Sequence, residues 1–378
     1  MKEGWEYKKL GEVGKVLTGS TPSTKDPENY DSHDFCFVKP SDIPNIGTSV
    51  LVNTEFYISK KAFTSSRQLP KGSVLTTCIG IIGKVGILGI EATCNQQINA
   101  IIPYPNTILS SFLAYSILSK RNFLEEKANA PVVPIINKKE FSNTIIGVPP
   151  LSEQQRIVEE LDLLSSIIEK KKAQLKELDN LAQSIFYDMF GDPVTNEKGW
   201  EVKKLKTVST LLNGRAYKQH ELLSEGKYKV LRVGNFFTNS NYYYSDLELE
   251  DDKYCDYGDL LFAWSASFGA FIWKGGKVIY HYHIWKVLYD DTVLNILFFK
   301  YLLNIMTQSF MKDVHGIGMV HLTKVGMEQY MLPIPPLELQ QQFAEKIVAI
   351  EHQKELIKQS IKEVETLFNS RMDYYFDG

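Results

Sequence analysis

Residues 149–190 read PPLSEQQRIVEELDLLSSIIEKKKAQLKELDNLAQSIFYDMF, and the spacing of their apolar side chains predicts one long helix. Pro149 and Pro150 cannot continue a helix from upstream, and Ser152 with Gln155 makes a capping box at its start. Leu161, Ile168, Leu175, Ala182 and Met189 fall at one heptad position; Ile157, Leu164, Leu178 and Ile185 fall at the other. Lys171 alone interrupts this seam, and Gly191, Asp192 and Pro193 supply a stop. A seam sustained over so many turns demands a partner helix.

The partner lies in the same chain. Residues 335–376 read PPLELQQQFAEKIVAIEHQKELIKQSIKEVETLFNSRMDYYF and overlay the first stretch without a gap at a shift of 186 residues. Pro149/Pro335, Pro150/Pro336, Leu151/Leu337, Gln154/Gln340, Gln155/Gln341, Leu181/Leu367 and Phe190/Phe376 are identities. Phe343, Ile347, Ile350, Ile357, Ile361, Val364, Phe368 and Tyr375 carry the second seam, broken by Lys354 and Arg371. Two unrelated amphipathic helices would not share start, spacing and end, so an internal repeat is the better reading.

The repeat reaches beyond the helices. GWEYKKLGEV (Gly4 to Val13) returns as GWEVKKLKTV (Gly199 to Val208). From Gly72 the shift of 186 holds again: Gly72/Gly258, Leu75/Leu261, Gly83/Gly269, Ile98/Ile284, Phe112/Phe298, Tyr115/Tyr301 and Lys138/Lys324. Runs such as SVLTTCIGIIGKVGIL and DLLFAWSASFGAFIW are β-branched, aromatic and punctuated by glycine, as strands and tight turns are. SSFLAYSILSKRNFLEEKA and ILFFKYLLNIMTQSFMKD read as a helix in each half. Each half is therefore α+β, with strands first, a helix next, and the long helix last. The polar loops differ between halves: LTGSTPST against LNGRAYKQ, and FVKPSDI against VLRVGNF. One platform carrying two sets of polar groups suits the reading of two different things.

Composition bounds the class. The 378 residues suffice for two or three domains with cores of their own, and the net charge of −3 excludes a wholesale polyanion-binding coat. Any nucleic-acid face must be local. The sequence predicts neither export nor membrane insertion, having no apolar signal segment or spanning run. Four cysteines without CxxC spacing suit a reducing compartment, the cytoplasm.

The whole chain resembles the specificity subunit of type I restriction–modification systems. The resemblance is carried by the GWE-x-KKL openers, the two PPL-x-x-QQ helix starts, the MFGDP segment at Met189 to Pro193, and the glycine-rich strand pattern before NQQINAI (Asn95 to Ile101). It implies an α+β fold: two similar target-recognition domains separated by two long antiparallel helices forming a coiled-coil spacer, with a pseudo-twofold internal repeat. The boundaries expected are residues 1–149 and 193–335 for the recognition domains, with helices at 150–192 and 336–378. The resemblance implies binding of double-stranded DNA at a bipartite site and docking of two methyltransferase subunits, with restriction subunits joining that core. S-adenosylmethionine would then belong to the methyltransferase, and ATP with Mg to a restriction subunit, leaving this chain without a cofactor. One departure stands out. NQQ becomes HYH (His281 to His283) in the second half, so a role of Gln96 does not transfer to Tyr282.

The residues agree with a non-catalytic chain. No methyltransferase NPPY-type tetrapeptide and no GxxxxGK[ST] loop is present. His281 and His283 alternate on one strand face, but no further ligand is obvious, so packing or a DNA-facing role is favoured over zinc. The acidic run of Asp246, Glu248, Glu250, Asp251 and Asp252 reads as a solvated loop that repels phosphate. Tyr242, Tyr243 and Tyr244 read as packing residues, and Lys170 to Lys172 as a solvated face with Lys171 fixing register.

DNA phosphates call for Lys, Arg or hydroxyls on loops, and base edges for Arg, Asn, Gln, Ser or Thr. The candidates in the first half are Ser20, Thr21, Lys39, Ser41, Lys60, Lys61 and Arg67. In the second they are Arg215, Lys218, Arg232, Asn235 and Asn239, with Arg215 and Arg232 suited to gripping a guanine bidentately. A tandem-domain coiled-coil scaffold for protein or glycan ligands is the alternative from another class; a monomeric methyltransferase or nuclease is disfavoured by the missing motifs.

Overall fold

The computed structural model describes residues 2–44, 47–128, 133–237, 241–265, 267–312 and 322–376. The long helices run Leu151–Phe190 and Leu337–Phe376, 40 residues each. The chain forms two compact units: unit 1 holds Met1–Lys172 with Lys358–Gly378, and unit 2 holds Ala173–Ile357. The division falls inside both long helices, so each unit owns the first part of one and the last part of the other.

Unit 1 contains β1 (Glu6–Lys9), β2 (Gly14–Thr18), β3 (Phe35–Val38), β4 (Val50–Leu51), β5 (Tyr57–Ile58), β6 (Val74–Thr77), β7 (Val85–Leu88), β8 (Ala92–Cys94), β9 (Ile98–Pro103) and β10 (Ile145–Val148). They form a five-stranded sheet β2-β9-β6-β7-β4, a three-stranded sheet β5-β3-β8, and the pair β1-β10. The helix Ser110–Ser119 follows the sheets and buries Phe112, Leu113, Ala114 and Tyr115 against β6 and β7.

Unit 2 repeats this plan with β11 (Glu201–Lys204), β12 (Ser209–Asn213), β13 (Tyr228–Leu231), β14 (Tyr243–Ser245), β15 (Tyr254–Cys255), β16 (Leu260–Ala263), β17 (Gly269–Ile272), β18 (Val278–Tyr280), β19 (Ile284–Tyr289) and β20 (Met331–Ile334). Its sheets are β12-β19-β16-β17, β14-β13-β18-β15 and β11-β20. Corresponding strands pair alike: β3 with β8 and β13 with β18 in parallel, β2 with β9 and β12 with β19 antiparallel. The α+β repeat expected from sequence is the architecture observed.

Within each unit the helix segments run antiparallel, since contacts pair rising with falling numbers. In unit 1, Ile157 and Leu161 join Met372 and Tyr375 in a core with Phe112 and Phe141. In unit 2, Phe186 and Phe190 pack on Phe298 at 5.7 and 4.8 Å between ring centroids, and both rings meet Phe343 at 5.6 and 5.4 Å. Phe186 and Phe190 are off the heptad seam read from sequence. A helix of 3.6 residues per turn drifts about 20° per heptad against a 3.5 repeat, which carries the buried face onto them.

The capping box at Ser152 and Gln155 is not formed. The helix begins at Leu151, which puts Ser152 inside the first turn, and Gln155 is exposed and donates to Glu159 Oε1 at 2.9 Å. Its neighbour Gln154 turns inward instead. Its side chain is fully buried, accepts Leu109 N–H at 2.9 Å, and donates to the carbonyls of Thr107 at 3.0 Å and Pro149 at 2.8 Å. Gln340 does the same in unit 2, with Asn295 N–H at 2.8 Å and the carbonyls of Val293 and Pro335 at 3.0 and 2.8 Å. Three backbone groups without secondary-structure partners are satisfied by one amide, which is why glutamine stands at both positions.

The two cations that break the second seam are also paired. Lys354 Nζ meets Asp179 at 2.7 Å and Glu351 at 2.9 Å in unit 2. In unit 1 the Arg371 guanidinium forks onto Glu160, whose carboxylate also accepts the Tyr375 hydroxyl at 2.6 Å. These bonds, Arg371 first, hold the Glu160 carboxyl below its ordinary value of 4.5. The pair's stabilisation is therefore complete above that value and is lost as pH falls through the depressed folded value. Thermal unfolding followed from about pH 6 to about pH 3 should show Arg371→Met below the native chain at the upper end, with the gap closing towards the lower. A gap independent of pH would show that the ion pair contributes nothing.

Candidate nucleic-acid interface

Three loops meet at one end of the sheets in each unit. In unit 1 they follow β2 (19–21), follow β3 (39–42), and join β8 to β9 (95–97). Backbone bonds stitch them together: Gly19 N–H to Ile98 O and Ser20 N–H to Cys94 O, both 2.9 Å, and Asn95 N–H to Val38 O at 3.1 Å. Gly19 is required by this approach, because a Cβ there would lie 2.0 Å from Asn95 O. In unit 2 the loops follow β12 (214–216), follow β13 (232–235), and join β18 to β19 (281–283). Gly214 repeats Gly19, with a Cβ placed 2.3 Å from His281 O. Arg215 N–H donates to Tyr280 O at 3.0 Å and His281 N–H to Leu231 O at 2.9 Å.

The loops after β3 and β13 share one local device. Asp42 Oδ2 accepts Lys39 N–H at 2.7 Å, and Asn235 Oδ1 accepts Arg232 N–H at 2.8 Å. Each side chain closes a short turn on the residue three before it, so a cation is presented at the turn's first position. Lys39 Nζ lies 3.1 Å from the Phe56 ring centroid, and the Arg232 guanidinium lies 4.3 Å from that of Tyr243. Tyr243 is exposed and lies under that cation.

Ser20, Thr21, Lys39 and Ser41 come together on the unit 1 loops. The Thr21 hydroxyl donates to the Gln96 side-chain carbonyl, tying the first loop to the third. Arg67 joins them by donating to the carbonyls of Thr18 and Gly19. Lys60 and Lys61 lie apart on the short helix Lys60–Ser65. Lys61 Nζ is bridged by Asp26 at 2.9 Å and Glu28 at 2.6 Å, so its charge is already answered. In unit 2, Arg215, Arg232 and Asn235 sit on the loops and Lys218 just beyond; Asn239 lies outside the described residues.

Three participants escaped the sequence reading. Lys253 Nζ donates to Asn213 O at 3.2 Å, the place Arg67 takes on Thr18 in unit 1. It stands 186 residues after Arg67, so the repeat contained the signal, but the acidic run around it masked it. That run is not simply solvated. Glu248 binds Lys227, Asp246 Oδ1 accepts Lys227 N–H at 2.8 Å, and Asp252 pairs with Lys253 at 2.5 Å. Glu221 takes both terminal nitrogens of Arg215, at 2.9 and 2.7 Å. Lys84, buried, donates to Pro40 O beneath the loop that carries Lys39; burial above all, with Arg121 nearby, lowers its pKa.

The third loop separates the two units chemically. Asn95, Gln96 and Gln97 are amides, whereas His281, Tyr282 and His283 form an aromatic group with Trp264, whose indole N–H donates to Tyr282 O at 2.8 Å. Burial, with His283 and Arg232 adjacent, pushes the His281 pKa down to about 4, so its ring is neutral at physiological pH. Among the described residues no group of three His, Cys, Asp or Glu side chains could hold a metal ion. Nor is any helix among the described residues long and apolar enough to cross a membrane.

The family model of the type I restriction modification DNA specificity domain matches the chain twice, at residues 2–179 and 197–366. The chain belongs to that family. Both copies of the specificity domain coincide with the repeat of strands and loops described above. Among curated relatives, the MjaIX specificity subunit of Methanocaldococcus jannaschii is 31% identical over 66% of this chain and 63% of its own length. The EcoR124I/EcoR124II specificity subunit of Escherichia coli is 34% identical over 44% of this chain and 42% of its own. The matches thus span less than two thirds of these relatives. The fold is shared with the type I S subunit from M. genitalium at a TM-score of 0.55 and 12% identity, over 98% of this chain and 96% of that one. A chain from a study of complex assembly in the type I R-M system aligns at a TM-score of 0.58 and 19% identity, over 99% and 97%.

Proposed function

We propose that this chain is the sequence-specific DNA-binding subunit of a type I restriction–modification complex, reading a bipartite, asymmetric site and docking two methyltransferase subunits. The observation that carries the reading is the pair of matched loop clusters. One backbone frame, held by Gly19 and Gly214, presents hydroxyls, amides and Lys39 in unit 1, but two arginines and an aromatic group in unit 2. Equal frames with unequal polar groups suit two half-sites of different sequence. The chain itself breaks no bond in this reading. S-adenosylmethionine would bind the methyltransferase partner, and ATP and Mg a restriction subunit where one joins, all in the cytoplasm. The site residues proposed are Ser20, Thr21, Lys39, Ser41 and Arg67 in unit 1, and Arg215, Lys218, Arg232 and Asn235 in unit 2.

A net charge of −3 supplies little general attraction for DNA, so affinity should come mainly with the partner subunits. The deciding experiment exchanges residues 4–149 for the matching segment of another family member, assembles the complex, and selects its duplex from a random library. One half-site should change and the other persist, with affinity falling as salt rises. Salt-insensitive binding without sequence preference, or capture of a protein or glycan instead, would sink the reading.

A further inference from the structure

Arg215 is fixed on every side but one. Its backbone N–H donates to Tyr280 O and its carbonyl accepts Tyr282 N–H, both at 3.0 Å. Its terminal nitrogens meet the two oxygens of Glu221 end-on, at 2.9 and 2.7 Å, and its guanidinium carbon stands 5.2 Å from the Tyr217 ring centroid. Glu221 is held in turn: it accepts Lys218 N–H at 2.7 Å, and its side chain is only 13% exposed. Its carboxyl titrates near 2, so the pair stays ionised.

An end-on fork uses one hydrogen of each terminal nitrogen. Nε–H of Arg215 donates to no described residue, and with the outer hydrogen of the adjacent terminal nitrogen it forms a second two-pronged edge. Arg232 is the contrast, because its Nε is buried without a partner.

We propose that Glu221 is a positioning residue, holding Arg215 so that its free edge meets N7 and O6 of a guanine in the half-site read by unit 2. The inference rests on the reading of the chain as a DNA-specificity subunit. The edge's geometry matches the two neighbouring acceptors that guanine alone shows in the major groove. Glu221 already answers the charge of Arg215, so a phosphate, which is bound chiefly through charge, gains less from it than a neutral base edge does. A guanidinium held beforehand also surrenders less side-chain freedom on binding. Unit 1 has Ser20 at the equivalent place, so this recognition is particular to unit 2.

The test selects duplexes from a library randomised in both half-sites, using the full chain assembled with its methyltransferase partners. The native chain should demand guanine at one position of the unit 2 half-site. Arg215→Lys should lower that preference roughly tenfold to a hundredfold. Glu221→Gln, nearly the same in shape, should lower it roughly tenfold at that position alone, with the salt dependence unchanged. The half-site read by unit 1 serves as the control for folding and assembly, and should be retained by both variants. Equal weakening on all sequences, with a salt slope smaller by about one, would make Arg215 a phosphate contact and overturn the proposal. Full guanine preference in Glu221→Gln would overturn the positioning role. A native complex with no sequence preference in either half would instead overturn the parent reading, and this inference with it.

Discussion

Replacing Gln154 by alanine is expected to destabilise unit 1 by about 3 kcal/mol, and Gln340→Ala to do the same to unit 2. Each change strips one backbone N–H and two carbonyls of their partner at a fully buried amide. A buried polar group left unsatisfied costs roughly 1–3 kcal/mol, and water reaching the half-buried members of the set offsets part of the sum. Urea unfolding measures the total, and amide exchange assigns it. Protection should fall at Leu109 N–H in one variant and at Asn295 N–H in the other. Gln154→Glu sharpens the argument, because a carboxylate can accept from Leu109 but cannot donate to Thr107 and Pro149, so it should be at least as damaging as alanine. A cost below about 0.5 kcal/mol, the level of an ordinary surface change, would show that these glutamines do not pin the helix starts.

Under the proposed function, the second large effect is expected on the spacing of the half-sites, which the long helices are proposed to set. Four residues inserted in one helix alone would slide Glu160 from Arg371 or Asp179 from Lys354, depending on the side of the insertion. The insertion therefore belongs in both helices, after Lys172 and after Ile357, where the two units divide. Four residues add about 6 Å of helix and rotate the downstream turns by about 40°, an insertion that coiled coils absorb as a stutter. At about 3.4 Å per base pair, the unread spacer should grow by one or two base pairs while both half-sites keep their sequence. Mapping methylated adenines in DNA modified by the reconstituted complex reads both quantities. An unchanged spacer with full activity would show that the helices do not set the distance, and altered half-sites would show that recognition depends on them.

Much of this protein is determined by its sequence alone, because a repeat and a heptad are both periodic signals. The 186-residue shift identified the two α+β halves, and strands that share it form matching pairs, β6 with β7 and β9 in one half and β16 with β17 and β19 in the other. The openers, helix ends and differing loops were legible for the same reason: corresponding positions could be compared within one chain. Lys253, at the position equivalent to Arg67, was within reach of that same comparison.

Tertiary structure alone decided which polar groups are spent and which remain available. Ser152 and Gln155 match a capping motif, but the motif counts residues and cannot sense that Gln154 faces three unpaired backbone groups brought from residues 107–109 and Pro149. Lys61, a candidate phosphate ligand from sequence, carries Asp26 and Glu28, more than 30 residues earlier, on its ammonium group, and the local sequence gives no sign of that pairing. Arg215 and Arg232 were equals in sequence; in space one has a carboxylate brace and an Nε–H that donates to no described residue, and the other a buried Nε and a guanidinium over Tyr243. Periodicity records which face a residue occupies, because that depends on the local backbone. Pairing depends on what distant segments bring to that face, and only folding assembles those partners.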